Sequence, residues 1–88
     1  PMNLCYITGF GQNAPIKPHH RPSAAIMEPM KGMLVGGPAV GDFDTISPRL
    51  YNNPPAKCYA DELDSYSTNE ITIYWNSAFV YLLSVLTK

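Results

Sequence analysis

The sequence has few charged residues, few cysteines and no long apolar run, and the first and the last of these shortages each argue against a class of partner. Charged residues make up 15% of its 88 positions, and the six basic ones are scattered from Lys17 to Lys88. They form no stripe that could follow a phosphate backbone, so no nucleic-acid partner is expected. The most apolar run, Ala78 to Leu86, is about half the length needed to cross a bilayer, so no membrane partner is expected either.

Cysteines and leader signals are equally scarce. Only Cys5 and Cys58 are present, and two thiols in a chain of this size fit a reduced pair as well as a single disulfide. The cysteine content therefore does not indicate whether the protein lies in a reducing or an oxidising compartment. The sequence opens at Pro1 and shows no start methionine followed by a charged and then an apolar segment, so we expect it to belong to a longer polypeptide.

Proline and glycine interrupt the first two thirds of the chain. The sequence contains nine Pro and six Gly, so most of residues 9–58 is predicted to be loop. A short extended piece is predicted over residues 1–8. One short helix is predicted over Ser23–Met27, with Ser23 as its N-cap and Pro29 as its stop.

One long helix is predicted near the end of the sequence, over about residues 69–86. Ser67, Thr68 and Asn69 are good N-caps, and neither Pro nor Gly follows. Apolar residues recur with helical spacing at Ile71, Trp75, Ala78, Leu82 and Val85. Because the opposite face is also apolar, this helix should be buried among other helices. No other element of the chain is large enough to cover it, so its partners are expected elsewhere in a longer polypeptide or in another chain.

Three groups of polar residues are candidates for chemistry. They are the loop Pro18 to Arg21, Asp61 with Asp64, and Glu70. Aromatic side chains surround the acidic groups, as in sites that bind neutral sugars: Tyr59, Tyr66, Tyr74 and Trp75. Glycosidic cleavage needs one carboxylic acid to protonate the leaving oxygen and one carboxylate to activate water or attack carbon.

From the residues alone, Glu70 has two interpretations. A carboxylate in the first turn of a helix is ordinarily a capping or helix-dipole residue with a lowered pKa. A buried helix and flanking aromatics would instead favour the protonated form that an acid catalyst requires. The two effects oppose each other, and the sequence leaves both open.

The loop over residues 9–22, which carries both histidines and is called the histidine loop below, also has more than one interpretation. His19 and His20 fit a solvated or hydrogen-bonding pair. They are poor zinc ligands, because neighbouring side chains of an extended loop point apart and no Cys or carboxylate lies at ligand spacing. No metal site is therefore expected. Arg21 carries a planar guanidinium that suits either a salt bridge or two sugar hydroxyls.

Two motifs, in order, resemble glycoside hydrolase family 9 (cellulase type). The first is Tyr6-Ile7-Thr8-Gly9-Phe10-Gly11-Gln12-Asn13 followed by Pro18-His19-His20-Arg21. The second consists of Tyr59, Asp61, Tyr66, Glu70, Thr72, Asn76 and Ser77. Between them lies a link similar to that of the family, Leu34-Val35-Gly36-Gly37-Pro38. The resemblance covers essentially all 88 residues.

The resemblance implies an all-α fold. Residues 1–88 correspond to the C-terminal segment of an (α/α)6 barrel, with long loops plus the last barrel helix, and are not an independent domain. The activity implied is hydrolysis of β-1,4-glycosidic bonds in cellulose or related β-glucans with inversion, so the protein is expected to be secreted. No cofactor is expected in this segment. Calcium is expected only in the complete domain, with Asp42 and Asp44 as a weak suggestion.

At matched positions the family roles carry over. The catalytic residues implied are Glu70 as general acid, Asp61 as an acidic residue of the site and His19 as a loop residue near the cleaved bond. The substrate-binding residues implied are Arg21, Trp75 and Tyr66. The family's base is an aspartate near the domain's N-terminus, in a motif that this sequence lacks. Asp61 does not simply replace it, because the two carboxyls must lie about 6.5–9.5 Å apart.

Two alternatives stay open at this stage. One keeps the fold and changes the substrate to chito-oligosaccharides, as in exo-β-glucosaminidases that resemble the family. The other is a noncatalytic carbohydrate-binding or structural segment, which the missing base favours. In every case the partners expected are a β-glucan or another oligosaccharide and the rest of a catalytic domain. The 88 residues by themselves are expected to be inactive.

Overall fold

The computed structural model describes residues 4–50 and 52–87. Within them lie three helices, α1 (Arg21–Ile26), α2 (Tyr66–Asn69) and α3 (Ile73–Leu86), and two 3₁₀ turns, Ser47–Leu50 and Pro55–Lys57. Extended backbone pairs in this part of the chain only as isolated bridges. The loop-rich, all-α character predicted from the sequence is confirmed. Of the extended piece predicted over residues 1–8, the first three residues lie outside the described ranges.

Helix α1 begins earlier than the sequence predicted. His20 is its N-cap, with extended backbone (φ −149°), and Pro22 lies in the first turn. At that position the N–H that proline lacks would have no partner within the helix. Ser23, the predicted cap, is instead buried inside the helix, with its Oγ 2.8 Å from His20 Nδ1. The helix ends at Ile26 because Met27 turns into the left-handed conformation (φ 56°).

Helix α3 begins at Ile73, later than the predicted start near Asn69. Its N-cap is Thr72, whose backbone is extended and whose Oγ1 accepts a hydrogen bond from Trp75 N. This bond satisfies one of the backbone donors that a helix start leaves free. The long helix itself is confirmed, and its predicted start is wrong.

Residues before α3 form a separate short helix. Ser67, Thr68 and Asn69 lie inside α2, where they cap nothing, and Glu70 follows with extended backbone (φ −76°, ψ 144°). The expectation that Glu70 occupies the first turn of the long helix is therefore wrong. The physical reason is tertiary, because the side chains of the expected caps are bonded to other loops and to neighbouring residues.

Helix α3 is attached to the rest of the chain through its first turn. Asn76 Oδ1 accepts from Leu34 N at 2.9 Å, and Asn76 Nδ2 donates to Leu34 O at 3.0 Å and to Thr72 O at 2.8 Å. The ring of Trp75 lies on Gly36, where an added Cβ would come within 3.0 Å of Trp75 Cζ3. The link Leu34–Pro38 and the second motif therefore contact each other at the first turn of α3.

The rest of α3 is not covered by the described residues. None of the residues of α3 is buried, and beyond its first turn Val80 is 63% exposed and Tyr81 73% exposed. The fully buried side chains of the described chain are instead small and polar: Thr8, Ser65, Thr68 and Asn69. Coverage of α3 by other helices stays a prediction. No helix within residues 4–50 and 52–87 is both long and apolar enough to span a membrane.

Both cysteines carry free thiols. Cys58 is buried, and its Sγ lies 3.5 Å from the carbonyl oxygens of Leu50 and Pro54. Cys5 is half-buried, with its Sγ 3.8 Å from Ile7 O. The sequence left open whether Cys5 and Cys58 form a disulfide, and in this structure both are reduced.

Candidate active site

The two motifs meet where His19 lies beside Glu70. These residues form an isolated parallel bridge, and His19 N donates to Asn69 O at 2.9 Å. The Glu70 side chain is half-buried, and no residue of the described chain hydrogen-bonds its carboxyl. Two residues predicted to be catalytic are thus neighbours, and the carboxyl of one is available to a ligand.

The imidazole of His19 is held by the chain on one side. Its Nδ1 lies 2.6 Å from Leu63 O, and because a carbonyl oxygen only accepts, Nδ1 carries the hydrogen. In the neutral ring Nε2 is then an acceptor. The Tyr66 ring lies against the imidazole, with centroids 5.7 Å apart and an interplanar angle of 56°.

Tyr66 is the predicted substrate-binding aromatic that the structure brings to His19. It is 45% exposed, and its hydroxyl donates to Phe43 O at 2.5 Å. This hydrogen bond fixes the far end of the ring to the loop between Val35 and Cys58. Tyr66 therefore offers an aromatic surface next to the pair His19 and Glu70.

Asp61 binds the backbone of the histidine loop. Its Oδ2 accepts from Ile16 N at 2.7 Å, and its Oδ1 accepts from Lys17 N at 2.8 Å and from Asn69 Nδ2 at 3.1 Å. Charge-assisted bonds of this kind are stronger than those between neutral groups. This arrangement lets Asp61 act on the site by holding the residues that precede His19, and its direct part in catalysis stays a prediction.

Asn69 is the site residue that the sequence reasoning missed. Its side chain is fully buried, its Nδ2 donates to Lys17 O at 2.6 Å, and its Oδ1 accepts from Tyr59 OH at 2.6 Å. The sequence identified it only as a helix cap. Its position immediately before Glu70, inside the second motif, is the signal that could have marked it.

Arg21 and Trp75, also predicted to bind substrate, lie in different settings. Arg21 opens α1, close in sequence to His19, and its side chain is exposed. Within the described residues it makes no ion pair. Trp75 packs on Gly36 and lies edge-on to Tyr74, with centroids 5.2 Å apart. Packing accounts for the position of Trp75, and substrate binding by both residues stays a prediction.

Asp44 is buried and bonded to its neighbours through both oxygens. Oδ1 accepts from Ile46 N at 2.9 Å and from Ser47 N at 2.8 Å, while Oδ2 accepts from the backbone and the hydroxyl of Ser67. Burial raises the pKa of Asp44, but the hydrogen bonds outweigh it and lower this pKa to about 2.

Asp44 is for the same reason a poor calcium ligand, because a metal would have to displace these bonds. No group of His, Cys, Asp and Glu within residues 4–50 and 52–87 has a metal-binding arrangement. The weak suggestion of calcium at Asp42 and Asp44 therefore gains no support here. Calcium elsewhere in a complete domain stays a prediction.

Comparison with known proteins places these residues in a known context. Residues 1–83 match the model of the family described as Glycosyl hydrolase family 9. A cellodextrinase from Butyrivibrio fibrisolvens is 48% identical over 94% of this chain, and the matched region is 16% of the length of that protein. A solved structure of a thermostable endoglucanase from Alicyclobacillus acidocaldarius has a TM-score of 0.90 and 46% identity over 98% of this chain. A structure of AaCel9A with a cellobiose-like isofagomine gives the same values.

The likeness to these structures also confirms the fold expectation. The chain has the fold of part of an (α/α)6 barrel of the kind found in these endoglucanases. It spans 17% of the length of each of the two solved chains. The activity of a complete protein is therefore a matter of proposal.

Proposed function

Because the chain belongs to glycosyl hydrolase family 9, we propose that it supplies the general acid, Glu70, for hydrolysis of β-1,4-glycosidic bonds in cellulose or a related β-glucan, with inversion. The observation that carries the proposal is the bridge between His19 and Glu70, with a Glu70 carboxyl that no described residue hydrogen-bonds. A cellodextrinase and endoglucanases among its relatives support this class of substrate.

In the proposed reaction Glu70 protonates the glycosidic oxygen as the bond to the anomeric carbon breaks. His19 Nε2 accepts a hydrogen bond from a sugar hydroxyl, because Nδ1 is committed to Leu63 O. Tyr66 offers its exposed ring to an apolar sugar face, and Arg21 donates to sugar hydroxyls. The base that activates water comes from residues outside this sequence, in a complete catalytic domain. Secretion belongs to the same proposal, because the polymer is extracellular.

A hybrid enzyme tests the proposal. The segment of the Alicyclobacillus acidocaldarius endoglucanase that matches this chain is replaced by the chain, and Glu70→Gln is introduced. Glutamine keeps the shape but has no acidic proton, so hydrolysis of cello-oligosaccharides is expected to fall by about 10²–10⁴. Hydrolysis of dinitrophenyl cellobioside should fall far less, because its leaving group needs no proton.

The matched control is Glu62→Gln, which removes an exposed carboxylate paired with Arg49 in the same segment. This variant should leave both activities unchanged. The acid role is wrong if Glu70→Gln keeps cello-oligosaccharide hydrolysis within about tenfold of the parent hybrid. It is also wrong if both substrates lose the same factor. The anomer formed, read by NMR, tests inversion separately.

A noncatalytic carbohydrate-binding role is the second candidate, which the exposed ring of Tyr66 beside His19 would also serve. It predicts that the hybrid enzyme binds cello-oligosaccharides but that Glu70→Gln changes no rate. The chito-oligosaccharide alternative is tested on the same protein, by comparing glucosamine oligomers with glucose oligomers of equal length. Hydrolysis of the glucosamine series alone would favour it over the cellulase proposal.

A further inference from the structure

We infer that Asn69 is a positioning residue that holds the histidine loop and Glu70 in register. This inference rests on the proposed role of Glu70. Asn69 directly precedes Glu70 in the chain, and it is bound to the loop residues on both sides of Pro18. No other described residue is bonded to that loop by both its side chain and its backbone while adjoining the acid.

The orientation of the Asn69 amide is determined by its partners. Tyr59 presents a hydroxyl, whose pKa is raised by burial and then by the charge of Asp61, so it stays a donor. This donor requires the amide oxygen. The other two partners, Lys17 O and an Asp61 carboxylate oxygen, only accept and so require the amide nitrogen. Asparagine satisfies all three at once, and the isosteric aspartate cannot.

The backbone of Asn69 completes a two-point attachment. Its carbonyl oxygen accepts from His19 N at 2.9 Å, while its side-chain nitrogen donates to Lys17 O at 2.6 Å. Because residues 17 and 19 are both bound to residue 69, the loop cannot slide past Glu70 without breaking at least one bond. A displacement of about 1 Å is enough to cost roughly 10²-fold in rate where a catalytic group must be aligned.

Full burial of a polar side chain also fits a residue needed only for folding, so the test must separate the two roles. A positioning role changes kcat with little change in KM. Loss of a positioning residue also lowers the rate of reactions that need the acid by a larger factor than the rate of reactions that do not need it. A purely structural role lowers the melting temperature and leaves this substrate preference unaltered.

The test is Asn69→Asp in the hybrid enzyme. The change keeps the side-chain shape, removes two donors and places a second carboxyl beside Asp61. We expect kcat on cello-oligosaccharides to fall by about 10- to 100-fold, with KM within about threefold. The kcat on dinitrophenyl cellobioside should fall by a smaller factor. The defect should shrink as the pH is lowered, because a protonated carboxyl recovers one donor.

Two variants complete the design. Asn53→Asp makes the same chemical change at an exposed asparagine that donates to Lys57 O, and it should leave kcat unchanged. Tyr59→Phe removes only the bond to Asn69 Oδ1 and should lower kcat less than Asn69→Asp does. If Asn69→Asp does not fold, Tyr59→Phe decides the question through the same two substrates.

The inference is overturned if the folded Asn69→Asp variant, or Tyr59→Phe in its place, loses melting temperature but keeps the parent's kcat on both substrates. Its failure is distinct from that of the proposed function. If Glu70→Gln abolishes the acid-dependent reaction while the residue 69 and 59 variants leave it intact, only the positioning role is wrong. If Glu70→Gln itself has no effect, the proposed function fails first.

Discussion

Asp44 and Ser67 join the loop between Val35 and Cys58 to helix α2. The buried carboxylate of Asp44 accepts from both the backbone N–H and the hydroxyl of Ser67. The first of these bonds satisfies a donor in the opening turn of α2, as an N-cap would. Because α2 ends where Glu70 begins, this contact anchors the helix that leads into the site.

The hydrogen bonds to Asp44 predict a loss of stability in acid. Its pKa is about 2 in the folded chain, below the ordinary 3.8, so the folded state resists protonation. The contribution of Asp44 is therefore complete above about pH 4 and is lost as the pH falls through about 2. The melting temperature of the hybrid enzyme, measured from pH 2 to 5, should fall more steeply than that of Asp44→Asn. Equal slopes for the two proteins would contradict the prediction.

Asp61 provides a second prediction, on activity. Asp61→Asn leaves one acceptor oxygen where the carboxylate now accepts from Ile16 N, Lys17 N and Asn69 Nδ2. In either orientation of the new amide, its NH2 group faces at least one of these donors. We expect kcat on cello-oligosaccharides to fall by about 10- to 100-fold, since the loop that carries His19 loses its attachment.

The matched control is Asp64→Asn, because Asp64 is exposed in the same acidic segment. It should leave kcat unchanged. Hydrogen exchange at residues 16–20 should quicken in Asp61→Asn and not in the control. Unchanged exchange together with a lost kcat would show instead that the Asp61 carboxylate acts directly on the substrate.

Asn76 provides a third prediction, on stability. Asn76→Ala removes the partners of both Leu34 N and Leu34 O, which are partly buried, and each group left unpaired costs up to about 1–3 kcal/mol. The melting temperature of the hybrid enzyme should fall, while KM changes little because Leu34 is not part of the site.

Ser77→Ala is the comparison at the neighbouring motif position. Ser77 is exposed and its hydroxyl donates only to Tyr74 O, within the same helix turn. Its removal should change stability by less than about 0.5 kcal/mol. If Asn76→Ala and Ser77→Ala have the same melting temperature, the attachment of α3 through Asn76 does not stabilise this region.

Local patterns predicted the elements of the fold well and their boundaries less well. The apolar spacing from Ile71 to Val85 predicted a helix, of which the part from Trp75 onward lies in α3, and the prolines disfavour regular structure over most of residues 9–58. The predicted start of α3 is wrong because, as residue types, Ser67, Thr68 and Asn69 are as good as Thr72 as caps. Their side chains were drawn into contacts with distant loops, and no local rule carries that information.

The candidate site follows the same division. The sequence alone determined the family through two ordered motifs, and with it the expected roles of Glu70 and His19. Only the tertiary structure decided that Glu70 lies in extended backbone beside His19, and that buried Asn69 joins them. The physical reason is that hydrogen bonds between residues 17, 61 and 69 form only when distant segments meet, so spacing along the chain cannot reveal which of several polar residues will be their partners.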